Sequence, residues 1–125
     1  MDPDRIALFD LADQRLAWAS KRETVLAQNL ANADTPGWRA RDVKPFDASL
    51  AEASLIPAMT DSRHMAGTSV TDLSLQTSTG EHAPDGNAVS VDAELVKVAQ
   101  TDLAHAVTSD LYKAYLGMFR TAIGR

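Results

Sequence analysis

The chain has 125 residues, of which 45% are hydrophobic, 23% charged and only 6% aromatic, and its formal net charge is −5. This composition is typical of one globular domain, and the acidic balance argues against a nucleic-acid or anionic-membrane surface, since both need a concentrated basic face. The absence of cysteine excludes disulfides, thiolate metal ligands and cysteine nucleophiles. Because aromatic residues are few, the core must consist mainly of Ala, Leu and Val, which favours close helix packing.

The first part of the chain predicts a long helix over residues 4–33, with Asp4 capping its first turn. Apolar residues recur at alternating steps of three and four, as in a coiled-coil seam that only Glu23 interrupts. The apolar seam positions are Phe9, Ala12, Leu16, Ala19, Leu26, Leu30 and Ala33. A second apolar edge carries Leu8, Leu11, Trp18 and Val25. One partner helix cannot cover both edges, so we expect burial in a larger core or in an assembly, although an amphipathic helix on a globular core has the same spacing.

A polar turn ends this helix. Pro36 lacks an N–H group and biases Thr35 away from the helical region, so the helix should end near residue 32 or 33. The Pro36-Gly37 pair predicts a type II turn in which Gly37 has a positive φ. For an isolated Pro-Gly pair, an ordinary helix stop is the simpler interpretation.

The middle of the chain, residues 34–91, predicts a hinge, an extended loop and a turn. Residues 43–46 favour a short extended segment and residues 48–53 a single helical turn. Val70, Leu73 and Leu75 allow a weak strand, so the insert is an extended loop or a short β-hairpin.

The last part predicts a second long helix over residues 92–123, capped by Ser90 or Asp92. One line along it carries Val91, Leu95, Val98, Tyr112, Leu116, Phe119 and Ile123. A parallel line carries Val96, Ala99, Leu103, Val107, Leu111, Ala114, Met118 and Ala122. Asp102 interrupts the first line, as Glu23 interrupts the seam of the first helix. Each of these two residues either sets the helix register and the choice of partner or simply faces water.

The predicted fold is therefore mainly α. The long N- and C-terminal helices pair as a coiled-coil-like bundle, each about 40 Å long, and the extended loop or short β-hairpin insert joins them. We expect residues 1–125 to form a single domain. A monomer of this shape buries only a narrow seam, so we expect it to be marginally stable, since ordering the chain costs roughly 1 to 2 kcal/mol per residue.

The sequence carries no pattern of residues for catalysis. It has no nucleophile elbow, no phosphate-binding glycine motif and no pair of His residues at i,i+4. The three histidines, His64, His82 and His105, are far apart. We therefore expect no enzymatic activity, no catalytic residue, no metal, no cofactor and no small-molecule substrate.

The stretch from residue 28 to 38 resembles the N-terminal signature of the bacterial flagellar rod, hook and hook-associated axial proteins. In that signature Asn-x-Ala-Asn follows a long helix and precedes a Thr-x-Gly-aromatic turn. Here the stretch supplies eight residues that we call the hinge motif: Asn29, Ala31, Asn32, Asp34, Thr35, Pro36, Gly37 and Trp38. Residues 33–42, 84–95 and 112–123 are also similar to rod proteins of this family, so the resemblance covers both ends and skips the middle.

The resemblance implies a structural subunit of the proximal flagellar basal-body rod, whose terminal helices stack into a helical axial tube for motility. It implies as partners the subunit itself, other rod subunits, the adaptor protein at the membrane ring and the export gate. The implied location is the periplasmic rod, reached through flagellar type III export without a cleaved signal peptide. We expect the assembly interface to include Phe9, Leu16, Leu26, Leu30, Leu95, Val98, Leu103, Leu111, Tyr112, Leu116, Phe119 and Ile123.

The start of the chain agrees with this export route, because an acidic segment leads into an amphipathic helix and not into the apolar core of a secretory signal.

A different class of protein would carry the same apolar lines. A cytoplasmic helical adaptor or export chaperone could hold a partner helix in a groove between its own helices. A stable helical dimer in dilute solution would favour this alternative.

Overall fold

The computed structural model describes residues 7–54, 75–77 and 89–124. Its elements in chain order are α1 (Ala7–Ala31), β1 (Arg41–Val43), α2 (Phe46–Ser54), β2 (Leu75–Thr77) and α3 (Val91–Ile123). The mainly α fold with two long terminal helices and a small β insert is therefore confirmed. The predicted cap at Asp4, the strand positions Val70 and Leu73, and His64 and His82 lie outside the described residues.

The helices α1 and α3 pack against each other and run antiparallel. The rings of Phe9 and Tyr112 meet edge to face with centroids 5.0 Å apart. At the other end of the pair, the side chain of Asn29 bonds that of Glu94. The start of α1 therefore lies beside the second half of α3. On the α1 side the seam is as predicted, with Phe9, Ala19, Leu26 and Ala33 buried and Ala12, Leu16 and Leu30 half-buried.

The face of α3 that meets α1 is partly polar, which the apolar pattern did not reveal. Glu94 and Thr101 are buried, and Thr108 is half-buried. The hydroxyls of Thr101 and Thr108 donate to the carbonyl oxygens four residues earlier, at 2.8 and 2.7 Å. Since these hydroxyls are satisfied within their own helix, their burial costs little.

The ends of the long helices depend on local capping. α1 ends at Ala31, slightly before the predicted residues 32 and 33. Ser90 and not Asp92 caps α3, because the Ser90 backbone is extended and its side chain accepts from the Ala93 N–H at 3.4 Å. Gly124 ends α3 with φ at 78°, the left-handed conformation that favours glycine at this position.

The insert consists of an antiparallel strand pair and a short helix. β1 pairs with β2 in the register Arg41↔Thr77, Asp42↔Gln76 and Val43↔Leu75. The strand thus starts two residues before the predicted extended segment at 43–46 and shares only Val43 with it, and Phe46 already belongs to α2. Pro45 explains why a helix starts here. Its missing backbone N–H would have no partner at a helix start, and its carbonyl accepts from the Ser49 N–H at 3.0 Å.

A cluster of buried apolar side chains lies where the insert meets α1. It contains Trp18, Ala19, Val25 and Val43, with Phe46 packed against it. The insert therefore covers the Trp18 and Val25 part of the second apolar edge, whereas Leu8 and Leu11 stay exposed. Over the described ranges, no helix is both long enough and apolar enough to cross a membrane.

Candidate functional site

The hinge motif forms the predicted tight turn. The Trp38 N–H donates to the Thr35 carbonyl at 3.1 Å, and Gly37 has φ at 78°. A Cβ atom at Gly37 would meet nothing within 4 Å, so the turn needs glycine for its backbone conformation and not for space. The motif residues on the outside of the turn are Ala31, Asp34, Thr35 and Pro36, and all four are exposed.

Asn32 caps α1 through its side chain. Among the described residues, only Gly37 and Gly124 have a positive φ, so Asn32 does not use the left-handed conformation open to asparagine. Its Nδ2 donates to the Gln28 carbonyl at 2.8 Å, and its Oδ1 accepts from the Thr35 hydroxyl at 3.2 Å. The cap therefore links the last turn of the helix to the hinge.

Asn29 joins three elements through one amide group. It is 1% exposed. Its Oδ1 accepts from the Arg41 N–H at 3.1 Å, and its Nδ2 donates to the Arg41 carbonyl at 2.6 Å, so the side chain bonds β1 as a strand partner would. Nδ2 also donates to Glu94 Oε2 at 2.8 Å. The Trp38 indole N–H lies 3.5 Å from the Asn29 oxygen, which brings the end of the hinge to the same point.

Glu94 completes this cluster from α3. Its side chain is 3% exposed, and its Oε1 accepts from Lys97 Nζ at 2.7 Å. A buried carboxylate is stable only when it is paired and hydrogen-bonded, and here each oxygen has a donor. We call Asn29, Arg41, Glu94 and Lys97 the Asn29 hub. The sequence analysis did not predict a role for Glu94 and Lys97. An acidic residue in the first turn of a helix indicates stabilisation by the helix dipole, but it does not show which side chain will bond to it.

Trp18 fixes the insert nearer the middle of α1. Its indole N–H donates to the Lys44 carbonyl at 2.8 Å. The Arg22 guanidinium bonds both carboxylate oxygens of Asp42 at 2.9 Å and lies 5.4 Å from the centre of the Trp18 ring. Together with the Asn29 hub, these contacts set the direction in which the chain leaves α1.

A line of apolar side chains along α3 is left uncovered. We call it the outer stripe, and its members are Val96, Ala99, Leu103, Val107, Leu111, Ala114, Met118 and Ala122. All of them are exposed, with Leu103 at 66% and Met118 at 57%. A continuous apolar surface on a folded chain indicates a contact with another molecule.

The predicted interface residues divide into two sets. Leu103 and Leu111 lie on the outer stripe, and Leu95 and Ile123 are also exposed. The other eight are at least half-buried within the chain: Phe9 and Leu26 are buried, whereas Leu16, Leu30, Val98, Tyr112, Leu116 and Phe119 are half-buried. Of these, Phe9 and Tyr112 meet across the helix pair.

An apolar groove adjoins the outer stripe. It lies between the start of α1 and the second half of α3 and has a volume of about 270 Å³. Leu8 and Leu11 line one wall, and Leu111 and Tyr115 line the other. In the part of the chain that the structure describes, no group of three His, Asp or Glu side chains could hold a metal ion.

Three curated relatives are similar to this chain over most of its length. The chain is 30% identical over 128 residues to the flagellar basal body rod protein FlgB of Agrobacterium fabrum, an alignment that covers 96% of this chain and 95% of that protein. It is 36% identical over 107 residues to FlgB of Aeromonas hydrophila, covering 78% and 77% of the two chains. It is 30% identical over 114 residues to FlgB of Escherichia coli K12, covering 82% of each.

The chain belongs to the FlgB family of flagellar basal body rod proteins. The resemblance first seen in the hinge motif is thereby confirmed over most of the chain. No general family profile matches it. In this chain, Asn29, Asn32 and Gly37 of the hinge motif hold the exit from the first helix.

Proposed function

We propose that this FlgB-family chain is a structural, non-enzymatic subunit of the proximal flagellar rod. It assembles with copies of itself and with other rod subunits into the helical axial tube, through surfaces of its two terminal helices. The observation that carries this proposal is the exposed outer stripe of α3, which no other element of the described chain covers.

The arrangement of the elements suits a subunit of this kind. The pairing of α1 with α3 makes a long narrow unit, and its outer stripe runs along α3. Contacts between two different surfaces of identical subunits propagate and do not close into a dimer, which a tube requires. The Asn29 hub and the Pro-Gly turn hold the start of the insert against α1.

The finer assignments rest on the resemblance in sequence. We place the subunit in the basal body, next to the adaptor protein of the membrane ring and the export gate. We further propose that the chain leaves the cell through the flagellar export apparatus without cleavage of a signal peptide. The helical adaptor or export chaperone stays the second candidate, but nothing in the relatives or in the helix packing favours it.

Replacement of Leu103 by Asp tests the proposal. Because Leu103 is 66% exposed, the variant monomer should unfold at the same denaturant concentration as the wild type. In an assembled rod the same position would be covered, and an unpaired charge there costs several kcal/mol. We expect cells that carry Leu103→Asp to lose swimming and to yield no rods, measured by motility assay and basal-body preparation.

The matched control is Leu103→Met, which keeps an apolar side chain of similar volume and should retain swimming. Normal swimming of the Leu103→Asp strain would contradict the role of the outer stripe. A chain that does not restore swimming in its own deletion strain would contradict the rod function altogether.

A further inference from the structure

We propose that α3 of a second copy of this chain docks in the apolar groove of the first, through the front half of its outer stripe. This inference rests on the proposed function and names one of its contacts. The front half of the stripe consists of Val96, Ala99, Leu103 and Val107, and the rear half of Leu111, Ala114, Met118 and Ala122. One copy thus supplies the groove, and its neighbour supplies the helix face that fills it.

A second hollow continues the apolar groove along α3. It has a volume of about 320 Å³ and extends toward Ala122. Leu8, Phe9 and Tyr115 line both hollows, so the two form one channel between the start of α1 and the second half of α3. A channel of this length accommodates several turns of a helix and not a single side chain.

The two halves of the outer stripe have different places relative to the channel. In the rear half, Leu111 and Met118 already form part of the channel wall. The front half lines neither hollow, and its Val96, Leu103 and Val107 are 56%, 66% and 51% exposed. The front half is therefore a row of large apolar side chains that needs a cover, and the channel is an apolar surface that needs a filling.

Arg15 adds a requirement for charge. Of the described residues that line the channel, only Arg15 is charged. It is half-buried, and its guanidinium lies 4.8 Å from the centre of the Phe46 ring and 5.2 Å from that of Trp18. No carboxylate in the described ranges pairs with it. Because a covered cation needs a paired anion, the channel favours an apolar helix that has an acidic residue at one end.

Asp92 gives α3 this acidic residue. It is exposed, and no cation of the described chain pairs with it. It lies four residues before Val96, about one turn earlier and on the same edge of the helix. The acid at the equivalent place beside the rear half is Asp110, which already lies 3.5 Å from Lys113. The front half of the stripe thus begins with a free carboxylate.

The channel and the front half lie at different heights on one chain. Arg15 and Thr108 line the same groove, whereas Asp92 comes 16 residues before Thr108, which is about 24 Å along α3. One chain therefore cannot bring its own Asp92 to its own Arg15. A second copy with the same orientation makes this pair when it is displaced by roughly that distance. The contact is staggered and joins two different surfaces, so it propagates and does not close into a flat ring.

The same displacement brings the apolar side chains into the channel. A shift of 16 residues places Ala99 of the docked copy at the height of Tyr115, beside which Leu8 lines both hollows. The charged pair and the apolar filling therefore agree on one arrangement. Leu8 and Ala99 of neighbouring copies should lie next to each other.

Disulfide cross-linking tests this contact in the full-length chain, which has no cysteine of its own. We expect the double variant L8C/A99C to give, on oxidation of recovered rods, a ladder of dimers, trimers and larger products. The matched control is L8C/A114C, because Ala114 lies on the same stripe but about 22 Å farther along α3. Since a disulfide needs Cα atoms within roughly 7 Å, we expect about tenfold less product from the control.

Charge reversal supplies an independent measurement. R15E or D92K alone places like charges next to each other and should lower the yield of recovered rods by roughly three- to tenfold. The double variant R15E/D92K restores opposite charges between copies and should recover most of the lost yield. Since Asp92 and Arg15 are far apart within one chain, D92K cannot repair a local packing defect that R15E causes.

Four results would overturn the inference: no ladder from L8C/A99C rods, a product that stops at the dimer, equal cross-linking in the L8C/A114C control, or an R15E/D92K variant as impaired as either single variant. If L8C/A99C forms no rods, the charge reversal decides. If the L8C/A99C strain swims and forms rods without cross-linking, this contact is wrong and the proposed function stands. If the unsubstituted chain forms no rods in its own deletion strain, the proposed function itself fails.

Discussion

At the scale of single residues, the described chain depends on polar side chains that hold elements together. Asn29 satisfies both backbone groups of Arg41 and one oxygen of Glu94, and all three bonds lie at or below 3.1 Å. Its neighbour in the motif, Asn32, makes only local bonds at the helix end. Two asparagines that look equivalent in the sequence therefore differ in their energetic importance.

Replacement of Asn29 by Ala should destabilise the monomer by on the order of 3 kcal/mol. The substitution leaves the Arg41 N–H without its acceptor and the buried Glu94 Oε2 without its donor, and an unsatisfied buried group costs about 1 to 3 kcal/mol. The control Asn32→Ala should cost about 1 kcal/mol or less. Urea unfolding of both variants measures the difference, and equal losses of stability would contradict the role of the hub.

At the scale of elements, the Pro-Gly turn and the Trp18 contact decide how the insert leaves α1. The turn fixes the backbone direction through the positive φ of Gly37, and Trp18 holds the segment after β1 through the Lys44 carbonyl. Between these two points, β1 lies against α1 and carries Val43 into the apolar cluster. The insert is thus anchored at the turn, at the strand and just after the strand.

Gly37→Ala should destabilise the monomer by roughly 1 to 2 kcal/mol, and Gly37→Val by more, because only glycine adopts this positive φ without strain. The matched control is Gly117→Ala in α3, where the backbone is helical and an added Cβ meets nothing within 4 Å. That control should stabilise the monomer by about 0.5 to 1 kcal/mol. Chemical denaturation measures the change in the free energy of unfolding for each variant. A Gly37→Val variant as stable as the wild type would contradict the requirement for glycine in this turn.

At the scale of the whole molecule, burial is concentrated at one end of the helix pair. The apolar cluster lies along the middle and second half of α1, and the Asn29 hub joins the end of α1 to the start of α3. Toward the other end, Leu111, Tyr115, Met118 and Ile123 are all exposed. The monomer is therefore well packed near the hinge and incompletely packed near the end of α3.

Hydrogen exchange of a verified monomer should follow this gradient. We expect slow exchange over residues 18–29 and 94–101, and exchange that becomes faster toward residue 123, because local opening exposes little additional apolar surface there. Assembly into rods should slow exchange over residues 102–123. Uniform strong protection along α3 in the monomer would contradict the prediction, since the helix would then not need a neighbour.

The two long helices, the turn at Pro36-Gly37 and the family were all predicted from local sequence patterns. These features depend on local chemistry: the spacing of apolar residues along α1, the missing N–H of proline, and a motif whose order is visible in the chain. The α1 seam was predicted correctly because its residues are apolar at every position except Glu23. The sequence also predicted the cap of α3 as one of two candidates, Ser90 or Asp92, because a capping side chain bonds a backbone N–H only about three residues away.

The covered side of each helix depends on contacts between distant parts of the chain, which local patterns do not show. α3 turns Glu94, Thr101 and Thr108 toward α1 and leaves Leu103 in solvent, the reverse of what polarity alone suggests. The hydroxyls of Thr101 and Thr108 cost little to bury because they bond carbonyl oxygens of their own helix. The Glu94 carboxylate can be buried because it has two donors, one of which, Asn29, comes from a distant part of the chain. The pairing of Asn29 with Glu94 joins residues far apart in sequence, so no local pattern could reveal it.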